Sequence, residues 1–292
     1  MQTISPADLI TNADGSIYHL QLLPHEIAGT IITVGDPDRV AEVSKYFDKI
    51  VVKKQKREFI THSGYLGNKF ITVISTGIGT DNIEIVINEL DSLKNFDFEQ
   101  RTFRSTKEQL NIIRIGTSGA LQADIEMDSI LISEFAIGMD SLMNFYPQQY
   151  SIAEQSMLND IRQHFNKEFP LVIPYLASAG NNLFQQFEPH FAKGFTITAP
   201  GFYAPQGRIT RLTTDNNLLN LFKNYRFNQL KFTNLEMETA GIYALAKSFG
   251  HQALSVNAIL ANRANSTFST NPDFIVKKAI EKTLEILSDF SF

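Results

Sequence analysis

The feature that most restricts the fold is a recurring unit: an apolar strand, a glycine-containing turn, and the start of a helix. Gly29-Thr30-Ile31-Ile32-Thr33-Val34 reads as a buried strand. It ends in Gly35-Asp36-Pro37-Asp38-Arg39-Val40, where a helix opens and runs to about residue 47. Residues 70–75 form a second strand, followed by Thr76-Gly77-Ile78-Gly79-Thr80 and an amphipathic helix over 81–93. Asn111-Ile112-Ile113-Arg114-Ile115 is a third, running into Gly116-Thr117-Ser118-Gly119. Continuous apolar strands are buried on both faces, and strands that alternate with helices build an α/β fold. The expectation is one α/β domain over residues 1–292, a mixed central sheet with helices on both faces. Ligands of such sheets gather beyond the carboxyl ends of strands.

The remaining segments fit that plan. Residues 50–54 and 57–65 read as strands, with a hairpin turn at Tyr65-Leu66-Gly67-Asn68. Further strands are expected over 128–138, 171–177, 194–198, 231–235 and 253–260, and helices over 151–169, 237–250 and 272–287. Residues 1–24, broken by Pro6, Gly15 and Pro24, form an irregular N-terminal arm. Residues 94–110 are polar, charged and without clear period, and read as a partly helical surface insertion.

Composition excludes several classes. The chain is 43% apolar and 20% charged, an ordinary globular balance. A net charge of −5 gives no bulk attraction to nucleic acid or to an anionic membrane. No apolar run approaches the roughly 20 residues a membrane helix needs, and the first residues do not read as a signal peptide. The cytoplasm is therefore the expected compartment. With no cysteine there is no thiol nucleophile and no thiolate metal site. The glycine turns lack the lysine of a P-loop and the third glycine of a dinucleotide fingerprint, so neither ATP nor NAD is indicated.

Arginines and acids carry the functional reading. Arg114 interrupts an apolar run, and a charge inside a core strand needs an anionic partner. Arg39 either folds back toward the Gly35 turn, making an anion site with its N–H groups, or lies on the surface. Asn234-Leu235-Glu236-Met237-Glu238-Thr239 sets two acids around a methionine where a strand becomes a helix. They are either acids favoured by a helix N-terminus or a buried pair that something binds. At i, i+2 they share a face if extended and point apart if helical. The loop from Phe202 to Arg208 joins aromatics to Gln206 and Arg208. It is either an ordinary surface loop or a device to stack on a planar ring and read its edges. His19 and Arg57, taken alone, read as surface groups.

In combination, Gly35-Asp36-Pro37-Asp38-Arg39-Val40, Lys56-Arg57-Glu58-Phe59, Arg114-Ile115-Gly116-Thr117-Ser118-Gly119, residues 202–208 and Glu236-Met237-Glu238 resemble the nucleoside phosphorylase-I family, most of all its uridine phosphorylases. The resemblance runs from about Tyr18 to the last helix. It implies reversible phosphorolysis of uridine, or a related pyrimidine nucleoside, to uracil and ribose 1-phosphate. Inorganic phosphate would be the co-substrate, with no metal or organic cofactor. Gly35, Arg39, Arg114 and Thr117 would hold phosphate, and Arg57 would complete that site from a neighbouring subunit. His19 would also be lent, to the ribose 5′-hydroxyl. Met237 would pack on the sugar, Glu238 would bind its 2′- and 3′-hydroxyls, and Glu236 would support it. Phe202 would stack on the base, Gln206 and Arg208 would bind the uracil edge, and Arg263 would help as the loop closes. Catalysis would rest on Arg114, Glu238, Gln206 and Arg208. Shared sites imply a homo-oligomer, a dimer or a trimer of dimers.

Purine-type members of the family place an acid after the strand that follows the Glu-Met-Glu helix. Here that place reads Asn262-Arg263, which points to a pyrimidine. A purine nucleoside phosphorylase or nucleosidase is the alternative, and a non-catalytic nucleoside-binding module is the reading from another class. The chain departs from the family pattern at Asp81-Asn82, where Pro-Ser is common, at Ala204-Pro205, and in the length of 94–110.

Overall fold

The computed structural model describes residues 3–212 and 217–289. In chain order the elements are β1 (Thr30–Val34), α1 (Asp38–Ser44), β2 (Lys49–Lys56), β3 (Phe59–Leu66), β4 (Lys69–Ser75), α2 (Thr80–Asn95), β5 (Phe96–Asp97), β6 (Thr102–Phe103), β7 (Asn111–Ala120), β8 (Ile130–Gly138), α3 (Ile152–Asn166), β9 (Tyr175–Ser178), α4 (Asn181–Phe187), β10 (Ala192–Thr198), α5 (Leu218–Asn224), β11 (Asn234–Glu236), α6 (Thr239–Phe249), β12 (Gln252–Asn262), β13 (Thr267–Phe268) and α7 (Pro272–Asp289).

Alternation along the central strands divides the core. Ile31, Ile74 and Ile112 pack with α2 and α6, while their neighbours Ile32, Val73 and Ile113 pack with α1, α4 and α7. Both faces are thus covered, as the apolar runs require. A third cluster sets α3 and α5 against β10 and β11. No helix among the described residues is long and apolar enough to cross a membrane.

The sheet is mixed, and it closes on part of itself. β1 lies parallel between β4 and β7. Beyond β7, β12 pairs with β7 in parallel and with β8 antiparallel, β8 with β10 and β10 with β11 in parallel, and β11 returns antiparallel to β7. A chain of buried hydrogen bonds crosses this ring of strands. Ser133 joins Thr196 at 2.6 Å, Thr196 joins Asn234 at 3.0 Å, Asn234 joins Ser118 at 3.1 Å, and Asn257 joins Ser133 at 2.9 Å. Fully satisfied buried networks of this kind make a core rigid.

Several local expectations change. Residues 116–119 do not turn but stay within β7. Arg57 is not in a strand; it heads the two-residue turn between β2 and β3 with φ at +56°. Residues 96–103 form a two-stranded ribbon rather than a helix. That segment is also not wholly superficial, because Phe96 and Leu110 are completely buried. α4 and α5 were not expected. Each is only seven residues long and carries asparagines, and each is held by a few buried apolar side chains, such as Leu183 and Phe187 in α4.

Candidate active site

Arg114 organises the site. It lies in the middle of β7 and is 5% exposed. Its Nη2 meets Oε2 of Glu236 at 2.9 Å and Oε2 of Glu238 at 2.6 Å. Its Nη1 donates to Ser255 Oγ at 3.2 Å and Asn257 Oδ1 at 3.1 Å, both on β12. The side chain folds over Gly116, where a Cβ would stand 2.0 Å from Nη1. Residues i and i+2 share a strand face, so this glycine makes room for the guanidinium and has no turn to form.

The two acids are held differently. Glu236 ends β11 and accepts from the Thr198 hydroxyl at 2.6 Å and from the backbone N–H groups of Glu238 and Thr239 at 2.9 Å. Those N–H groups open α6, so Glu236 caps the helix from the preceding strand. Glu238 is the N-cap residue of α6. Its Oε1 accepts from the Gly79 N–H at 2.9 Å while Oε2 faces Arg114. The starts of α2 and α6 approach this closely because Gly241 has no Cβ; one there would lie 2.9 Å from Thr80 Cγ2. Both acids converge on one guanidinium. Catalytic carboxylates of a glycosidase would instead flank the sugar bond.

Burial raises the Glu238 carboxyl above its ordinary value; the neighbouring Glu236 adds to the rise, while Arg114 and the Gly79 N–H oppose it. Burial works against the charge of Arg114, but Glu236 and Glu238 outweigh it and raise the guanidinium. Arg39 is lowered by burial, partly offset by Asp36. Its guanidinium makes no hydrogen bond or ion pair among the described residues.

Arg114, Glu236 and Glu238 stand at the deep end of a cleft of about 780 Å³. Gly35, Arg39 and Thr117 line it too, as do Met237, Phe202, Gln206 and Arg208. Arg208 lies 3.6 Å from the Phe202 ring centroid, and its Nη1 donates to the Phe202 carbonyl and to Gln206 Oε1, both at 2.5 Å. Phe202 is still 51% exposed. Burial, with Arg263 nearby, lowers the Arg208 guanidinium to about 10, which leaves it charged at neutral pH. Arg263 does not line the cleft. It donates to the carbonyls of Gln206 and Gly207, each at 3.2 Å, and so ties the loop to the end of β12.

His19 and Arg57 lie outside their own cleft. Arg57 is exposed at its hairpin tip and has no partner among the described residues. His19 Nδ1 is 2.7 Å from Glu89 Oε1 on α2.

A family model described as the Phosphorylase superfamily matches residues 30–291. The chain belongs to that superfamily. Its relatives include the uridine phosphorylase of Thermococcus kodakarensis, 28% identical over 95% of this chain and 88% of the relative. The uridine phosphorylase of Escherichia coli is 26% identical, over 93% of this chain and 98% of its own. A DeoD-type purine nucleoside phosphorylase of Bacillus velezensis is 26% identical over 82% and 84%. A crystallised Trypanosoma brucei nucleoside phosphorylase, which shows uridine phosphorylase activity, superposes with a TM-score of 0.88 at 30% identity, covering 97% of this chain and all of that one.

Some of the residues that shape the cleft are not read from the sequence. Ser255 and Asn257 brace Arg114, and Thr198 braces Glu236. Ser255 and Asn257 did carry a signal, since they are polar residues at i, i+2 inside an apolar strand. Glu58, Ile78, Asn82 and Phe268 also line the cleft; the first three fall within motifs singled out in the sequence without being read as lining residues, and nothing local marks Phe268.

Proposed function

We infer that the chain is a pentosyltransferase of the uridine phosphorylase type, which cleaves uridine or a closely related pyrimidine nucleoside with phosphate. The carrying observation is the convergence of Arg114, Glu236 and Glu238 at the deep end of a cleft that also presents Arg39, whose guanidinium has no hydrogen bond or ion pair among the described residues. Phosphate supplies the anion that Arg39 lacks, with Gly35 and Thr117 beside it, and Arg114 links it to the sugar site. Glu238 accepts from the ribose hydroxyls and Met237 packs on the ring. Glu236 acts by holding the start of α6 and the guanidinium in place.

In the reaction the C1′–N1 bond lengthens and its electron pair passes to the uracil ring. A phosphate oxygen then bonds C1′, and the uracil anion takes a proton from water. Charge growing on the uracil carbonyl is met by Gln206 and Arg208, set in place before the step. Phe202 orients the base, since holding both reactants in line supplies much of the acceleration. The reading calls for no metal or organic cofactor.

Pyrimidine is favoured over purine by the position of Asn262. Its Nδ2 donates to the carbonyls of Gln122 and Ile125, and its Oδ1 accepts from Ala264 and Asn265. It fastens a turn and has no acidic proton for a purine ring. Arg57 and His19 are assigned to the cleft of a neighbouring subunit in a homo-oligomer, a dimer or trimer of dimers. Their position outside their own cleft supports this, as does the left-handed backbone held at Arg57. The expected setting is nucleoside catabolism and pyrimidine salvage in the cytoplasm.

A substrate panel tests the reading. Uridine should release uracil and inosine should be inert. Preferential cleavage of inosine would transfer the site to purines. Calorimetric binding of uridine with no turnover would make the chain a binding module.

A further inference from the structure

His19 and Arg57 are far apart in the chain, yet one side chain joins their neighbours. Lys56 precedes Arg57, and Tyr18 precedes His19. Lys56 Nζ donates to the Tyr18 carbonyl at 2.5 Å and to Asn12 Oδ1 at 2.8 Å. It also lies 4.5 Å from the Tyr18 ring centroid, and that ring stands edge-on to His19 at 4.8 Å. A lysine serving only to solvate a strand would keep its ammonium in water.

Two further contacts fix the arm. Glu89 on α2 accepts from the backbone N–H groups of His19 and Leu20 as well as facing the imidazole. Arg101, at the tip of the β5–β6 ribbon, donates to the carbonyls of Ile4, Ser5 and Leu9 at 2.9, 2.9 and 2.6 Å. Its own carbonyl accepts from the Ile4 N–H at 2.8 Å. The ribbon that carries Arg101 is footed in the core by Phe96, and Leu110 buries the segment that follows it.

We propose that Lys56 is a positioning residue that yokes His19 to Arg57, with the inserted ribbon fastening the arm through Arg101. The two outlying groups then reach the adjoining cleft as one preset unit. This rests on the reading that both serve a neighbouring site. Groups ordered before substrate arrives need no ordering at binding, so the yoke acts on affinity for both substrates.

The test is a double-mutant cycle on the full-length, assembled protein, with KM and kcat measured separately for uridine and phosphate. Lys56→Met should raise both KM values by about three- to tenfold with kcat nearly unchanged, and Lys56→Arg should restore part of the loss. In a His19→Ala background Lys56→Met should no longer move the uridine KM. In an Arg57→Ala background it should no longer move the phosphate KM. Arg101→Ala should raise the uridine KM more than the phosphate KM. Effects of Lys56→Met that add unchanged in both backgrounds, or that touch thermal stability alone, would overturn the yoke while leaving the shared site intact. If His19→Ala and Arg57→Ala themselves leave both KM values unmoved, the shared site fails and the yoke falls with it.

Discussion

The deep end of the cleft and the loop from Phe202 to Arg208 meet the same ligand volume but are built on opposite plans. Arg114 is braced by residues 122 to 143 positions away, on β11, at the start of α6 and on β12, and is almost fully buried. Phe202 is half exposed and Arg208 is only partly buried, and Arg208's hydrogen bonds span six residues or fewer. The deep end is therefore over-determined and keeps its shape when empty. The loop is held mainly by its own Arg208–Phe202 stack, with Arg263 as its tie to β12, and on the proposed reading it exchanges or shares the stack when a base arrives. On the proposed function, this division would hold a sugar and a phosphate rigidly while admitting a planar ring.

The contrast breaks most severely at Arg114. Arg114→Met leaves two buried carboxylates without their cation, and breaking such a pair costs about 3–5 kcal/mol. Denaturant unfolding should show a loss of that size, and uridine cleavage should disappear. Asn257→Leu strikes the brace instead, removing one of the two acceptors of Arg114 Nη1 and the Asn257 donor to Ser133, while Ser255 and Thr196 remain as partners. A loss of about 1–3 kcal/mol is expected, with the phosphate KM rising more than the uridine KM in steady-state kinetics.

Phe202→Ala probes the loop. Stacking on a base is worth about 1–3 kcal/mol, so the uridine KM should rise steeply while the unfolding midpoint stays put.

The raised Glu238 carboxyl gives a pH signature. The folded chain holds that proton to higher pH than the unfolded one, so it binds more protons between the ordinary carboxylate value and the raised one. Stability from this group therefore falls as pH rises through that window. Over the same window kcat/KM for uridine should climb as the ionised acid becomes available to the hydroxyls. Glu238→Gln should flatten both trends.

The smallest effect has the opposite sign. Arg57 holds φ at +56°, and relieving such a conformation with Arg57→Gly should stabilise the protein by about 1 kcal/mol while weakening phosphate binding. Thermal unfolding beside phosphate titration separates the two.

The same contrast accounts for what could be read from the chain. The loop was legible as a motif because its stacking and amide groups are neighbours in sequence. At the deep end, Arg114 announced a need for an anion, since a charge interrupted an apolar strand. That the need is met by Glu236 and Glu238 follows from β11 returning antiparallel to β7, a pairing set by the closing of the strand ring. No local pattern encodes that closure. Gly116 was misread for the same reason. A glycine within Gly-Thr-Ser-Gly suggests a turn, and only the guanidinium folded across it explains an extended backbone. The alternation of strands and helices was plain in the apolar periodicity, whereas the short helices α4 and α5 depend on tertiary packing that propensity does not foresee.

The central claim is that the Arg114–Glu236–Glu238 group, with Arg39, sets phosphate against C1′ of a nucleoside. Phosphorus NMR during uridine turnover tests it most directly. Ribose 1-phosphate appearing one-for-one with uracil, and no uracil without phosphate, is the predicted result. Free ribose released at the same rate in phosphate-free buffer would contradict the account.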